Sequence, residues 1–337
     1  MKRIRVGLNG FGRIGRSFTR IALNRNSFDI VAINTRKADA ALFAYLLKYD
    51  SIYRTFDQEV ANDQEGIIIN GKKIAITQSS TPEEIPWEKY NIDVVIDATG
   101  AFTKKTDLMK HIKGSVKKVI LTAPSKDEET PHVVLGVNDT AIDWSKETVI
   151  SNCSCTTNCA APMFKLLHEN WNILAGYLTT THAYTQSQSL QDDPNGSPDR
   201  SRAAPLNISP STTGAAKAVA KVIPELKGKI DGMAVRVPVP IGSLSDISAL
   251  VEKATTADEV NEKFKESAGV NLKTILHYET TPLVSSDYIG SPYSCIFDAN
   301  YTKVINGHLV KVFGWYDNEW GYSTRLVDLV EKISDFV

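Results

Sequence analysis

Three of the four cysteines in this 337-residue chain, Cys153, Cys155 and Cys159, crowd into one short segment, Ser151-Asn152-Cys153-Ser154-Cys155-Thr156-Thr157-Asn158-Cys159. The segment leaves an apolar run, Val149–Ser151, and enters a helical pattern over Ala160–Asn170. Cys155 therefore falls at the start of a helix. Unpaired N–H groups there favour an anion, so the spacing predicts a lowered thiol pKa and a nucleophilic Cys155. Cys159, one turn deeper on the apolar side, reads as a core thiol, and Cys153 at the strand end reads as buried. The C-x-C-x3-C spacing lacks a second ligand pair, so no metal is expected. The histidines are His111, His132, His168, His182, His277 and His308. His168 rides the helix that begins at Cys155, and most of the others read as surface or strand positions. His182 closes a long strand, within Thr179-Thr180-Thr181-His182-Ala183-Tyr184-Thr185. A base held by a rigid strand is well placed to face a helix-borne thiol. The pattern alone leaves a purely structural histidine equally open.

A second chemistry sits at the start of the chain. Asn9-Gly10-Phe11-Gly12-Arg13-Ile14-Gly15 contains G-x-G-x-x-G directly after a strand and opening a helix. Such glycines permit a tight turn and close backbone approach, and the helix start offers N–H groups to a pyrophosphate. The pattern then calls for an acid at the end of the second strand to hold the ribose hydroxyls. The residues there are Asn34 and Thr35, followed by Arg36 and Lys37. A hydroxyl beside two cations attracts a 2′-phosphate where a carboxylate would repel it, so NADP, or both NAD and NADP, is expected. The competing reading makes Arg36 and Lys37 a solvated loop, with Asp39 reaching back to the ribose.

Positioning these groups requires two kinds of scaffold. Ile4–Asn9, Ile30–Asn34, Val94–Ala98, Val119–Leu121, Val133–Val137 and Val149–Ser151 are short, continuously apolar runs, as strands covered on both faces are. Gly12–Asn24 lies between the first two, with Ile14, Phe18, Ile21 and Ala22 on one helical face. That alternation predicts βαβ units and a doubly wound sheet. Beyond Cys155 the strands are longer and more alternating: Leu174–Thr185, Met233–Val239, Leu244–Val251, Cys295–Ala299 and Leu309–Tyr316. They suit an antiparallel or mixed sheet, interrupted by helices at Thr213–Val222 and at Thr256–Ser267, the latter opening with capping-box spacing. A last helix over Gly321–Phe336 is expected to pack back on the first domain. Gln186–Pro210 is a long Ser, Asp, Pro and Gly-rich stretch, a length usually reserved for functional or partner-covered loops.

Composition excludes other classes. The formal net charge is −1, with 42% hydrophobic residues, so neither a nucleic-acid nor an anionic-membrane binder is expected. No apolar run approaches the roughly 20 residues of a membrane span. The first ten residues carry charge but no sustained apolar core, which argues against a signal peptide. Few, clustered cysteines fit a reducing compartment, and the cytoplasm is the expected location.

The cysteine segment, Thr-His-Ala-Tyr-Thr, Ser211-Thr212-Thr213-Gly214-Ala215-Ala216-Lys217, Gly232-Met233-Ala234-Val235-Arg236-Val237-Pro238, Trp315-Tyr316-Asp317-Asn318-Glu319-Trp320-Gly321-Tyr322 and the glycine loop occur in that family's order and spacing. Together they resemble the phosphorylating glyceraldehyde-3-phosphate dehydrogenases. The resemblance implies an α/β protein: a Rossmann-type doubly wound dinucleotide-binding domain over 1–153, to which helix 318–337 returns, and an α+β catalytic domain over 154–317. It implies Cys155 as nucleophile and His182 as base, with glyceraldehyde 3-phosphate, NAD or NADP, and inorganic phosphate as reactants and 1,3-bisphosphoglycerate as product. Thr185 and Arg236 would hold the substrate phosphate, and Ser154, Thr156, Thr213 and Gly214 the attacking phosphate, with Arg202 adding positive potential. Asn318 would fix the nicotinamide carboxamide beside Tyr322, while Thr99, Gly100 and Thr122 line the cofactor site at strand ends. A homotetramer follows by the same resemblance. Arg236 lies among apolar residues, where an unpaired cation is costly, so a ligand or carboxylate partner is expected.

Departures from the family pattern are specific. The loop reads Gln186-Ser187-Gln188-Ser189-Leu190 where Gly-Asp-Gln-Arg-Leu is usual, and Asp192–Asp199 replaces a basic stretch. Cys153 stands where alanine is usual, which predicts easier oxidative inactivation. An erythrose-4-phosphate dehydrogenase of the same architecture is the near alternative, and a catalytically silent NAD(P)-sensing protein is the alternative of another class.

Overall fold

The computed structural model describes residues 3–37 and 39–337. They divide into two compact units: residues 3–133, 141–153 and 323–337 without Ala38, and residues 134–140 with 154–322.

The first unit opens with β1 (Arg5–Asn9), α1 (Arg13–Arg25), β2 (Asp29–Thr35) and α2 (Ala40–Lys48). A short hairpin, β3 (Tyr49–Asp50) and β4 (Arg54–Thr55), follows, then β5 (Val60–Asn62), β6 (Gly66–Ile69), β7 (Lys72–Gln78), β8 (Val94–Asp97), α3 (Lys105–Leu108), β9 (Lys118–Leu121) and β10 (Val149–Ser151). Its sheet has the order β10-β9-β8-β1-β2-β7-β6-β5, parallel from β10 through β7. From β1 the chain builds outward one way to β2 and the other way to β8. The strand order therefore reverses at the C-terminal ends of β1 and β8, the crevice where doubly wound sheets bind ligands. This is a Rossmann-type sheet. Trp87, Ile92, Val95, Leu108, Val119, Leu121 and Val149 pack into one buried cluster. The helical face read from the sequence is buried through Phe18, Ile21 and Ala22.

Two departures have local causes. Val133–Val137 is not a strand: Asn138 Oδ1 accepts from the Val134 N–H at 2.9 Å and Asp139 Oδ1 from the Gly136 N–H at 2.8 Å, turning the chain. Only His132 bridges Ser151. Conversely, the structure adds α2, β3 to β7 and α3, for which the sequence pattern above gives no element. The β6–β7 hairpin turns on Asn70 and Gly71, both at positive φ, the dipeptide that favours a two-residue hairpin turn.

The second unit begins with α4 (Cys155–Trp171) and β11 (Ile173–Ala183), then β12 (Ser209–Thr212), α5 (Ala215–Val222), β13 (Ile230–Val237), β14 (Ser243–Val251), α6 (Ala257–Gly269), β15 (Leu276–Glu279), β16 (Cys295–Asp298), β17 (Lys303–Ile305) and β18 (Leu309–Tyr316). The sheet order is β12-β13-β11-β14-β18-β16-β15, with β17 also on β18. It is mixed, since β11 pairs parallel with β13 and antiparallel with β14. The capping box at Thr256 and Glu259 is formed. Within the Gln186–Pro210 stretch, the Ser189 N–H donates to the Arg200 carbonyl and the Ala204 N–H to that of Ser189, so the loop closes on itself.

The last helix, α7 (Trp320–Lys332), runs from the second unit into the first. Its later part is tied to the end of α1, where Arg25 pairs with Asp328 and Glu331, and Ser27 Oγ donates to Glu331 at 2.6 Å. No helix among the described residues is long and apolar enough to cross a membrane.

Candidate active site

Ser154 caps α4, its Oγ accepting from the Thr157 N–H at 3.1 Å, which leaves Cys155 as the first helical residue. On the neighbouring sheet, β11 and β13 run parallel with His182 opposite Arg236, so the two side chains share a face at adjacent strand ends. Cys155 Sγ lies 3.4 Å from His182 Nε2. Arg236 Nη1 lies 2.7 Å from His182 Nδ1 and donates to the Ala183 carbonyl at 3.1 Å. Nδ1 is itself 2.7 Å from that carbonyl. Nδ1 thus meets one acceptor, the carbonyl, and one donor, the guanidinium; the tautomer that donates Nδ1–H to the carbonyl is the one that turns the lone pair of Nε2 to the thiol.

Electrostatics suit a neutral resting pair. Burial pushes the His182 imidazole down to about 3, and the Arg236 cation adds to that. Burial likewise pushes the Cys155 thiol up to about 11, while Arg236 pulls it the other way. The lowering expected from the helix start is thus outweighed by burial. Among the described residues Arg236 meets no carboxylate; its contacts are the imidazole and the carbonyl, and its buried Nε has no hydrogen-bond partner there.

Tyr316 was not singled out in the sequence. Its hydroxyl joins Thr156 Oγ1 at 2.9 Å to Thr180 Oγ1 at 2.8 Å, and its ring meets that of His182 edge-on. Thr180 precedes His182 by two on the same strand face, a period-2 signal that the motif already contained. Cys159 is buried behind this layer, beside Cys295 and the Gly314 carbonyl, as a core thiol.

The anion-binding candidates divide. Thr185 Oγ1 is 2.8 Å from Ser187 Oγ, which accepts from Arg200 Nη1 at 2.9 Å. The charge of Arg200 acts on both His182 and Arg236. Arg202 instead turns to Asp192, 2.8 Å away at the surface. Arg200, two residues earlier, carries no motif, and the loop's own hydrogen bonds set which arginine meets Ser187 and which meets Asp192. Thr213 Oγ1 accepts from the Ala215 N–H at 3.2 Å at the start of α5, and Gly214 caps that helix without a side chain. Asn318 Oδ1 accepts from the Gly242 N–H and from Ser243 Oγ, which in turn accepts from the Ala183 N–H. That fixes the Asn318 amide with Nδ2 as the donor it can offer. Tyr322 is buried.

In the first unit, the glycine loop is built for close approach. A Cβ on Gly15 would stand 2.5 Å from the Gly10 carbonyl oxygen, so only glycine lets α1 sit this near the loop. Gly12 caps α1 with no side-chain bond, no acid occupies the first turn, and the space over Gly12 is open. These features fit a pyrophosphate. Phe11 packs on Phe43, and Arg13 pairs with Asp50. Thr99, Gly100 and Thr122 stand at the ends of β8 and β9, the Thr122 N–H donating to the Asp97 carbonyl. Asn9 and Asn34 are buried. Asp39 caps α2, accepting from the Leu42 N–H at 2.8 Å, and so does not reach back toward β2. Thr35 Oγ1 donates to the Lys37 carbonyl, and Arg36 and Lys37 are exposed.

Comparison with known proteins agrees with this arrangement. The glyceraldehyde 3-phosphate dehydrogenase NAD binding domain matches residues 4–105, and the C-terminal domain of the same family matches residues 154–318. The chain belongs to the glyceraldehyde 3-phosphate dehydrogenase family. It is 51% identical over 327 residues to glyceraldehyde-3-phosphate dehydrogenase 2 of Streptomyces avermitilis, covering 97% of each chain. It is 51% identical to glyceraldehyde-3-phosphate dehydrogenase of Streptomyces coelicolor over 97% of each chain, and 48% identical to that of Geobacillus stearothermophilus over 98% of each. Members of this family are oxidoreductases acting on an aldehyde, and the NAD binding domain accounts for the first unit's glycine loop.

Proposed function

We propose that the chain oxidises glyceraldehyde 3-phosphate and couples the oxidation to inorganic phosphate, releasing 1,3-bisphosphoglycerate. The observation that carries this reading is the Cys155–His182–Arg236 row, with 3.4 Å between sulfur and Nε2 and 2.7 Å between Nδ1 and the guanidinium. As Cys155 adds to the aldehyde carbon, His182 Nε2 takes the thiol proton and then donates to the developing oxyanion. On oxidation of the thiohemiacetal to a thioester the hydroxyl proton returns to His182 Nε2, and a bound nicotinamide dinucleotide would supply the hydride acceptor. Phosphate then attacks the thioester carbon, and Cys155 leaves as the thiol, taking a proton back through His182.

Two phosphates must be held. Arg236, Thr185 and Arg200 suit one cluster, and Ser154, Thr156, Thr213 and Gly214, grouped at two helix starts, suit the other. Assay with glyceraldehyde 3-phosphate, with and without phosphate, is the direct test. Turnover independent of phosphate, or full activity in Cys155→Ala, would overturn the proposal. A higher kcat/KM for erythrose 4-phosphate would transfer it to that aldehyde, and an inactive unmutated chain that binds dinucleotide would make it a sensor.

For the cofactor we favour NADP, or use of both NAD and NADP, because Thr35, Arg36 and Lys37 stand at the β2 end and no carboxylate is found there among the described residues. Paired kinetics with the two cofactors tests it, and a strong NAD preference rejects it. A cytoplasmic homotetramer is the assembly we favour. The outer sheet face exposes Tyr177, Leu250 and Leu309, and the long loop exposes Leu190, Leu206 and Ile208. A monomeric mass by light scattering would reject self-association.

A further inference from the structure

The first unit carries a buried polar chain along its strand ends that the reaction does not use. Trp87 Nε1 donates to His111 Nδ1 at 3.0 Å, and His111 Nε2 lies 3.2 Å from Asp97 Oδ2. A proton on Nδ1 would set two hydrogens between two nitrogens, so Nε2 carries the proton and donates to the carboxylate. From the other side, Asn9 Nδ2 donates to the same Oδ2 at 2.8 Å, while Asn9 Oδ1 accepts from Asn34 Nδ2 at 2.9 Å. Asn34 Oδ1 accepts in turn from Thr77 Oγ1 and the Ser79 N–H. Asn34 Nδ2 also donates to the Ser79 carbonyl at 3.1 Å, while the donors of Trp87, His111 and Asn9 run toward Asp97. Its other oxygen accepts from the N–H and hydroxyl of Thr99, at 3.1 and 2.7 Å. Trp87, Asp97 and His111 are fully buried.

We infer that His111 is a positioning residue for dinucleotide binding, acting through Asp97 on the Asn9–Gly10 strand end and on the Thr99–Gly100 turn. A buried carboxylate with four donors is held in one rotamer, and removing one donor leaves an underbonded charge that must move or draw in water. Asp97 grips both rims of the crevice at β1 and β8, so its movement shifts both. The Gly10 N–H donates to the Asn34 carbonyl and the Ala98 N–H to that of Asn9, which ties the glycine loop to the same residues. His111 itself lies in the 3-10 turn Met109–His111, after α3, and acts only through its neighbours.

The inference rests on the first unit binding a nicotinamide dinucleotide, so unmutated protein is titrated first with NAD and NADP by fluorescence or calorimetry. If neither binds, that reading fails and this one with it. His111→Phe keeps a ring but neither hydrogen bond. We expect its Kd and KM for dinucleotide to rise about tenfold, as for one lost charge-assisted bond, with kcat at saturation within about twofold. His111→Gln, which can accept from Trp87 and donate to Asp97, is expected to bind within about threefold of unmutated protein. Amide exchange in the free protein is expected to quicken at residues 9–15 and 99–101 in His111→Phe only. Where His111→Phe does not fold, Asp97→Asn serves, since its amide faces the donors of Asn9 and His111 in nearly unchanged shape. Dinucleotide affinity and local exchange unchanged in whichever variant folds, or Gln as damaging as Phe, overturn the inference.

Discussion

Arg236 holds its guanidinium 2.7 Å from His182 Nδ1, on the side of the ring away from Cys155. A cation there opposes a second proton on the imidazole and favours negative charge on the sulfur. Arg236→Leu removes both effects. The His182 pKa is expected to rise and the Cys155 thiol to climb further, so alkylation by iodoacetamide at fixed neutral pH slows. On the proposed phosphate role of Arg236, loss of one arginine fork is expected to lower kcat/KM for glyceraldehyde 3-phosphate by about a hundredfold. Alkylation at or above the unmutated rate would contradict this electrostatic role.

The same burial of His182 fixes an acid-side stability slope. Its folded pKa is near 3, below the ordinary histidine value, so the stability it contributes is complete above about 6.5 and is lost as pH falls toward 3. Over that window the unfolded chain takes up a proton that the folded chain refuses. His182→Gln therefore loses less stability than the unmutated chain between pH 7 and pH 4.5, by up to about one proton in slope. Denaturant titrations at the two pH values read the difference, and equal losses in both proteins would show that the imidazole is not held neutral by the fold.

How much of this was legible depends on whether a feature is local. The glycine loop, the helix start at Cys155 and the capping box at Thr256 are set by neighbours in sequence, and they stand where the residues indicated. The Asn70–Gly71 hairpin is equally local, and its Asn-Gly dipeptide between two apolar runs is a signal that the sequence carries. An error fell at Val133–Val137, where apolar content suggested a strand but the Asn138 and Asp139 side chains impose a turn. Non-local facts could not be read at all. Parallel register alone sets His182 opposite Arg236, and only the folded loop decides that Arg200, not Arg202, turns toward Ser187.

Tyr316 supplies a test of the layer beneath the thiol. Its hydroxyl lies between Thr156 and Thr180, both buried, and Tyr316→Phe leaves each threonine one partner short without changing the ring. We expect a loss of about 1–3 kcal/mol in stability, as for buried hydroxyls deprived of a partner. Because Thr156 adjoins Cys155, kcat is expected to fall as well, by less than about tenfold, since His182, the proposed base, is untouched. A variant equal to the unmutated chain in both melting and kcat would show the hydroxyl to be idle.

The two loop arginines separate a binding role from a surface ion pair. Arg200 reaches Ser187, which touches Thr185, and its charge acts on His182 and Arg236. Arg202 is paired with Asp192 in solvent. A cation held on a hydroxyl pair creates a potential that a phosphate monoester satisfies, and one charge-assisted bond to it contributes about 1.5–3 kcal/mol. Arg200→Ala is thus expected to raise the KM for glyceraldehyde 3-phosphate or for phosphate by about tenfold to a hundredfold, with a shallower salt dependence. An exposed ion pair contributes about 0–1 kcal/mol, so Arg202→Ala is expected to stay within about threefold on both constants. Ser187→Asp adds a carboxylate against Arg200 and should weaken the same KM that Arg200→Ala affects. If Arg202→Ala proves the more damaging arginine variant, the loop closes differently around substrate, and Arg200 loses its assignment.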